Sequence, residues 1–189
     1  RVALRFAATL RDPRHPADRL RRFIVAVYLS DDTVGVHEPP VTNSGVVGGT
    51  FLKRMKVKKN QTEFYAPKDF YVGAAVKLHT HRFELADADL ATVRYMERYP
   101  AKFPKADPGM VARRCRTYRE KLAKALAEHE GGAFPEAALA AAFDAVDCRV
   151  ARHEVFTLAR AASALEDPSP VPVGQGMVSH DKLMELLDV

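Results

Sequence analysis

Three prolines between Pro100 and Pro108 divide this chain into two stretches with different hydrophobic periods. Before them, apolar residues alternate or run in short blocks between turn residues; after them, they recur every three or four positions. The first pattern suits half-buried strands and the second suits helices. The chain therefore predicts an α+β protein, with a β-rich domain over residues 1–99, a linker over 100–108 and a small all-α domain over 109–189. At 189 residues and 47% hydrophobic content, it can bury one respectable core or two small ones.

In the first stretch Val2, Leu4, Phe6, Ala8 and Leu10 alternate with Arg1, Arg5, Thr9 and Arg11, which predicts a strand with one buried face. The run 11–16 breaks it, and Phe23 to Leu29 is apolar on both parities, as in a strand covered on both faces. Asp31-Asp32 ahead of Thr33 predicts a tight hairpin. Gly48-Gly49 ahead of Phe51-Leu52 predicts a bend or bulge. Further strands are expected at Ala75–His79 and Arg82–Leu85, and a helix capped by Asp87 or Asp89 runs to about Tyr99. Six or seven strands and one closing helix describe a bent sheet or open barrel.

In the second stretch Asp107 caps a helix with Pro108 at its first position, and Val111, Cys115, Tyr118, Leu122 and Leu126 share a face before Gly131-Gly132. Helices follow at about 135–143 and 151–165. Prolines 168, 170 and 172 force an extended stretch, and Ser179 caps a last helix with Leu183, Leu186 and Leu187.

No apolar run reaches membrane-spanning length and no signal-peptide pattern is present, so a soluble, intracellular chain is expected. The start at Arg1 predicts a piece of a longer polypeptide. Cys115 and Cys148 lack neighbouring thiols for a zinc site and read as buried free thiols. The net charge of +5 sits in the first stretch, where 17 Lys and Arg oppose 11 Asp and Glu over residues 1–100. That excess favours an acidic partner: a nucleic acid, an anionic membrane or an acidic protein polymer. Its densest part is Lys53, Arg54, Lys56, Lys58 and Lys59, interleaved with Met55 and Val57. These five cations are the candidate partner-binding residues, although such a run also suits a solvated sheet edge protected from aggregation.

Catalytic and metal chemistry find little support. The stretch Asp144–Glu154 has the outline of a calcium loop, with Val150 four residues before Glu154. It is one residue short, has Arg149 at the turn-glycine position and Cys148 where an oxygen is usual. A partner loop is expected at 174–183, with Gly176 and Val178 in the turn and aliphatic positions and Lys182 replacing the glutamate ligand. Both are expected to be calcium-dead, with Val150 and Val178 forming a short bridge. His79-Thr80-His81 lacks accompanying carboxylates or thiols for a metal site, and Gly45–Gly49 lacks the lysine and hydroxyl of a phosphate loop. No nucleophile, acid–base pair, metal or cofactor is expected, and the chain reads as non-enzymatic.

The ordered series Arg22-Phe23, Tyr28–Thr33, Glu38-Pro39-Pro40, Asn43-Ser44-Gly45, Gly48-Gly49, Phe51-Leu52, Asp69-Phe70, Gly73, His81-Arg82-Phe83 and Asp87 resembles the DM-ten domain of the EF-hand-domain-containing ciliary family, the myoclonin and protofilament-ribbon proteins. The resemblance covers residues 3–99 and makes the remainder similar to that family's C-terminal EF-hand region. It implies a pleckstrin-homology-like fold and a structural role inside the doublet microtubules of the ciliary and flagellar axoneme, with tubulin and other microtubule inner proteins as partners. Nucleic acid and membrane are not expected as partners. The alternatives left open are a phosphoinositide-headgroup module and a calcium-responsive one.

Overall fold

The computed structural model describes residues 2–13, 15–42, 45, 47–165 and 174–188. Two compact units emerge, Arg1–Arg94 and Tyr95–Val189.

In the first unit β1 (Ala3–Leu10), β2 (Phe23–Tyr28), β3 (Thr33–Glu38), β4 (Gly49–Met55), β5 (Ala75–Leu78) and β6 (His81–Ala88) form one antiparallel sheet, ordered β4-β3-β2-β1-β6-β5 and curled as half a barrel. The alternation in β1 sets its parity: Leu4, Phe6 and Ala8 are buried while Arg5 and Ala7 are exposed. Phe6 pairs with Val25 and Val25 with Val36, so one face collects the apolar side chains of successive strands. Phe23 contacts Phe51 and Phe83 edge to face at centroid distances of 4.9 and 5.2 Å. Such aromatic pairs contribute roughly 0.5–1.5 kcal/mol each beyond their burial.

β2 is not covered on both faces as expected, because Ile24 is 37% exposed. The reason is its outer-face neighbours: Ile24 lies between Ala7 and His37, and Ala26 between Arg5 and Gly35, none of which supplies a bulky apolar cover.

The predicted turns are present. Tyr28 pairs with Thr33 across the β2–β3 hairpin, Asp32 adopts a left-handed φ of 53°, and Asp31 Oδ1 accepts from the backbone N–H and hydroxyl of Thr33. A Cβ on Gly48 would stand 2.6 Å from the backbone nitrogen of Pro40 and 2.7 Å from the carbonyl oxygen of Glu38, so the chain passes too closely there for any other residue. The β3–β4 register shifts twice just beyond this point. At the far end, Asp89 rather than Asp87 caps α1 (Leu90–Arg98), accepting from the Thr92 N–H at 2.7 Å. Thr92 Oγ1 in turn accepts from the backbone N–H of Arg5.

The second unit contains α2 (Pro108–Cys115), α3 (Arg119–Ala125), β7 (Ala133–Pro135), α4 (Glu136–Ala145), α5 (Arg152–Ala161), β8 (Met177–Ser179) and α6 (His180–Asp188). Residues 100–108, expected as a linker, are packed: Phe103 and Ala106 are buried and the Lys105 carbonyl accepts from Thr157 Oγ1 at 2.8 Å. Asp107 caps α2 through Met110 N–H as expected. The single helix expected after it is broken by a 3₁₀ turn at Arg116–Tyr118, where Thr117 and Tyr118 are weak helix formers. The core gathers Val111, Cys115, Leu122, Leu126, Phe134, Leu139, Phe143, Leu158, Val178, Leu183 and Leu187.

Val178 does not bridge to Val150. It pairs with Phe134 in the antiparallel β7–β8 ladder and with Ser163 on its other side. The proline run 168–172 lies outside the described residues. Among those residues, no helix is long and apolar enough to cross a membrane.

Candidate partner-binding surface

The basic run occupies the end of β4, an edge strand, and the turn beyond it. Its five cations do not behave alike. Arg54 is committed to the fold: its guanidinium lies 3.8 Å above the Tyr28 ring, pairs with Asp31 and donates to Thr33 Oγ1 at 2.6 Å. Asp31's carboxyl is held below its ordinary range first by the Thr33 hydroxyl, a lowering opposed by desolvation and supported by Arg54. Lys59 Nζ pairs with Asp69 at 2.6 Å, and that hydrogen bond raises the pKa of the ammonium. Lys53, Lys56 and Lys58 are exposed and make no ion pair among the described residues.

Their placement is stiff. Val57 is buried, and its carbonyl accepts from Tyr65 N–H at 2.9 Å. Lys58 bridges to Phe64, and Asn60 Oδ1 accepts from the backbone N–H groups of Thr62 and Glu63, closing a small side-chain-supported turn. The Tyr65 hydroxyl accepts from the N–H of Lys77 on β5. That contact brings the turn beside the opposite edge of the sheet and forms an open groove of about 600 Å³. Lys77, His79 and the half-exposed Phe64 line it together with Met55, Lys56 and Lys58. Sequence reasoning missed these partners, since Lys77 lies far along the chain and only strand order brings it here.

His79 and His81 occupy a turn and the start of β6, not one strand face: His79 has a left-handed φ of 58°, whereas the His81 ring packs on Phe51 at 4.9 Å. Among the described residues, no three His, Cys, Asp or Glu side chains converge as a metal site would need.

Glu154, read in sequence as the last position of a calcium loop, is 3% exposed and engaged otherwise. Both guanidinium nitrogens of Arg114 donate to it at 2.9 and 2.7 Å, Ala151 N–H at 2.6 Å, and Lys105 stands at 3.5 Å. Burial pushes this carboxyl's pKa up, but the Arg114 bonds, the Ala151 amide and Lys105 outweigh it and leave it below its ordinary range. Asp144 lies in the last turn of α4, and Asp147 lies in the tight connection to α5 with φ 53°. Lys182, in the corresponding position of the later loop, donates from Nζ to the Ser163 carbonyl at 2.8 Å. Cys115 and Cys148 are buried with sulfurs 4.0 Å apart, and burial pushes the Cys115 thiol up to about 12.

A second ion pair that sequence reasoning missed joins Arg21 to Glu38 through two hydrogen bonds of 2.7 and 2.6 Å, with Arg21 also lying over Phe23. It ties the segment before β2 to the end of β3 and serves the scaffold.

Residues 1–92 match the model of the DM10 domain. The chain is 35% identical over 168 residues to the EF-hand domain-containing family member C2 of Danio rerio, covering 81% of this chain and 22% of that protein. It is 39% identical over 105 residues to the EF-hand domain-containing protein 1 of Mus musculus, covering 53% of this chain and 16% of that protein. With the family member C2 of Mus musculus it shares 44% over 96 residues, 47% of this chain and 13% of the other. The matched part of the chain thus spans only 13–22% of the length of these relatives.

Proposed function

We propose, from the premise that this chain belongs to the DM10-bearing family of EF-hand-domain-containing proteins, that it is a non-enzymatic structural module of the ciliary and flagellar axoneme. In this reading it binds tubulin as an inner protein of doublet microtubules and reinforces the protofilament ribbon, beside other such proteins. The first unit, with a pleckstrin-homology-like fold, acts as a rigid wedge. The location comes from the family resemblance; what supports binding is that Lys53, Lys56 and Lys58, on the end of the edge strand β4 and the turn beyond it, are exposed and make no ion pair among the described residues. An array presenting many copies makes modest individual contacts sufficient.

The second unit is read as a pair of EF-hands that have lost calcium. Such pairs join their loops by a short ladder at the aliphatic eighth positions, and here the ladder joins Phe134 to Val178. Counting from Phe134, positions one, three, five, nine and twelve are Ala127, His129, Gly131, Pro135 and Ala138, with Gly132 at the turn. Counting from Val178 they are Val171, Val173, Gln175, Ser179 and Lys182, with Gly176 at the turn. The hands keep the turn glycine and the ladder but carry no carboxylate where calcium needs one. The first loop is therefore 127–138, and the carboxylates of 144–154 lie between the two loops.

Co-sedimentation of the full chain with microtubules and open tubulin sheets tests the reading. Reversing Lys53, Lys56 and Lys58 to Glu, with Arg54 left to hold its hairpin, is expected to weaken binding at least tenfold and flatten its salt dependence. Unchanged binding and salt dependence would sink the proposal. Flotation with anionic liposomes at physiological salt would move the assignment to a lipid-headgroup module.

A further inference from the structure

We infer that the groove between the 56–64 turn and β5 is a docking site for an extended acidic peptide bearing one apolar side chain. The inference rests on the first unit being a docking module; it leaves aside which polymer the whole protein decorates.

The lining contains Lys56, Lys58, Lys59, Lys77 and His79 and no Asp or Glu. Asp69 neutralises Lys59, which leaves three ammonium groups and an imidazole around the opening. Glu63, the nearest carboxylate on the turn, is engaged by Asn60 Nδ2 at 3.0 Å. The floor is apolar: Met55 is 45% and Phe64 50% exposed, and Lys58 Nζ stands 6.0 Å from the Phe64 ring. Lysines hold phosphate as point charges, but the directional features that make a phosphate site selective are guanidinium forks, a helix N-terminus or a nest of backbone amides. None of these lines the groove, and two exposed apolar side chains gain nothing from an inositol phosphate. A peptide with spaced carboxylates and one aromatic or aliphatic residue satisfies both halves of the lining. The volume of about 600 Å³ fits a few side chains.

The backbone favours an extended ligand. β4 is an edge strand whose end, Met55, reaches the groove, so a peptide strand can pair beside it. The facing edge at β5 is less open, since Lys77 N–H is already given to Tyr65. His79 holds a left-handed φ, where glycine is easiest, in the turn that lines the groove.

The test uses the full chain and fluorescence anisotropy at low ionic strength, with a labelled oligoglutamate peptide carrying a central phenylalanine. The expected result is binding about tenfold tighter than that of the same peptide with a central alanine, as burial of one aromatic side chain gives. Lys58→Glu with Lys77→Glu is expected to reduce affinity at least tenfold. Phe64→Ala, at a half-exposed position that tolerates truncation, is expected to erase the phenylalanine preference. Absent binding, equal affinity of the two peptides, or unchanged binding by the circular-dichroism-checked charge variant overturns the inference. So does full displacement by equimolar inositol hexakisphosphate. Peptide binding without microtubule co-sedimentation leaves the groove standing and removes the tubulin reading; the reverse removes only the groove.

Discussion

Glu154→Gln isolates one buried charge at nearly constant shape. Glu154 is buried and faces two Arg114 nitrogens, the Ala151 N–H and the Lys105 ammonium. In the glutamine variant one oxygen can still accept, while the new NH₂ faces groups that only donate. One charge-assisted bond is lost, worth about 1.5–3 kcal/mol. The full penalty of stranding a buried charge, about 3–5 kcal/mol, does not apply. Arg114 is 53% exposed and can turn to water. The expected cost is therefore about 2 kcal/mol at neutral pH, or a fall of roughly 8–16 °C in the melting of a unit of this size. Thermal and urea melts followed by far-ultraviolet circular dichroism measure it. The carboxyl's pKa is lowered in the fold, so its contribution is complete above the unfolded value and is lost as pH falls through the folded one. The gap between the two proteins should therefore close in acid. Equal stability at neutral pH, or a gap that does not narrow as acid protonates the carboxylates, refutes the assignment of Glu154 as the hub of this contact.

Gly48→Ala is expected to cost roughly 1–3 kcal/mol or more, because the added Cβ meets the backbone of Glu38 and Pro40, which has no rotamer to yield; a chemical-denaturation midpoint equal to wild type would contradict this. Cys115 and Cys148 should resist an aqueous thiol reagent in the folded protein and react rapidly in urea, since burial suppresses the Cys115 thiolate; fast labelling of both under native conditions would contradict it.

Much of the first unit was legible because its signals are local. Leu4, Phe6 and Ala8 alternate with polar or small residues, and Asp31-Asp32 carries its own turn chemistry. The basic run was legible as composition but not as chemistry. Whether Arg54 is free depends on Tyr28 and Asp31 lying across a strand pair, and no property of the run itself reports that. In the helical unit the carboxylates of 144–154 drew attention because calcium loops are acidic, and in a loop without its ligands that cue misleads. A better cue was available: Gly132-Ala133-Phe134 repeats the glycine, spacer and bulky apolar residue of Gly176-Met177-Val178. Backbone geometry outlasts metal chemistry there, because the turn and the ladder are needed for packing even when no ion is held. The packed state of 100–108 was hidden for another reason, since Pro104 and Pro108 open helical turns and do not simply extend the chain.

The β7–β8 ladder also sets a condition on how this polypeptide can be shortened. Phe134 is fully buried, and among the described residues its strand pairs only with Met177–Ser179, more than forty positions further on. A truncated product that stops ahead of Met177 keeps a bare three-residue edge beside an uncovered aromatic ring. The best substitute for the missing mate is then the same strand of a second molecule, so loss of Met177–Ser179 favours self-association through this edge over a smaller stable monomer.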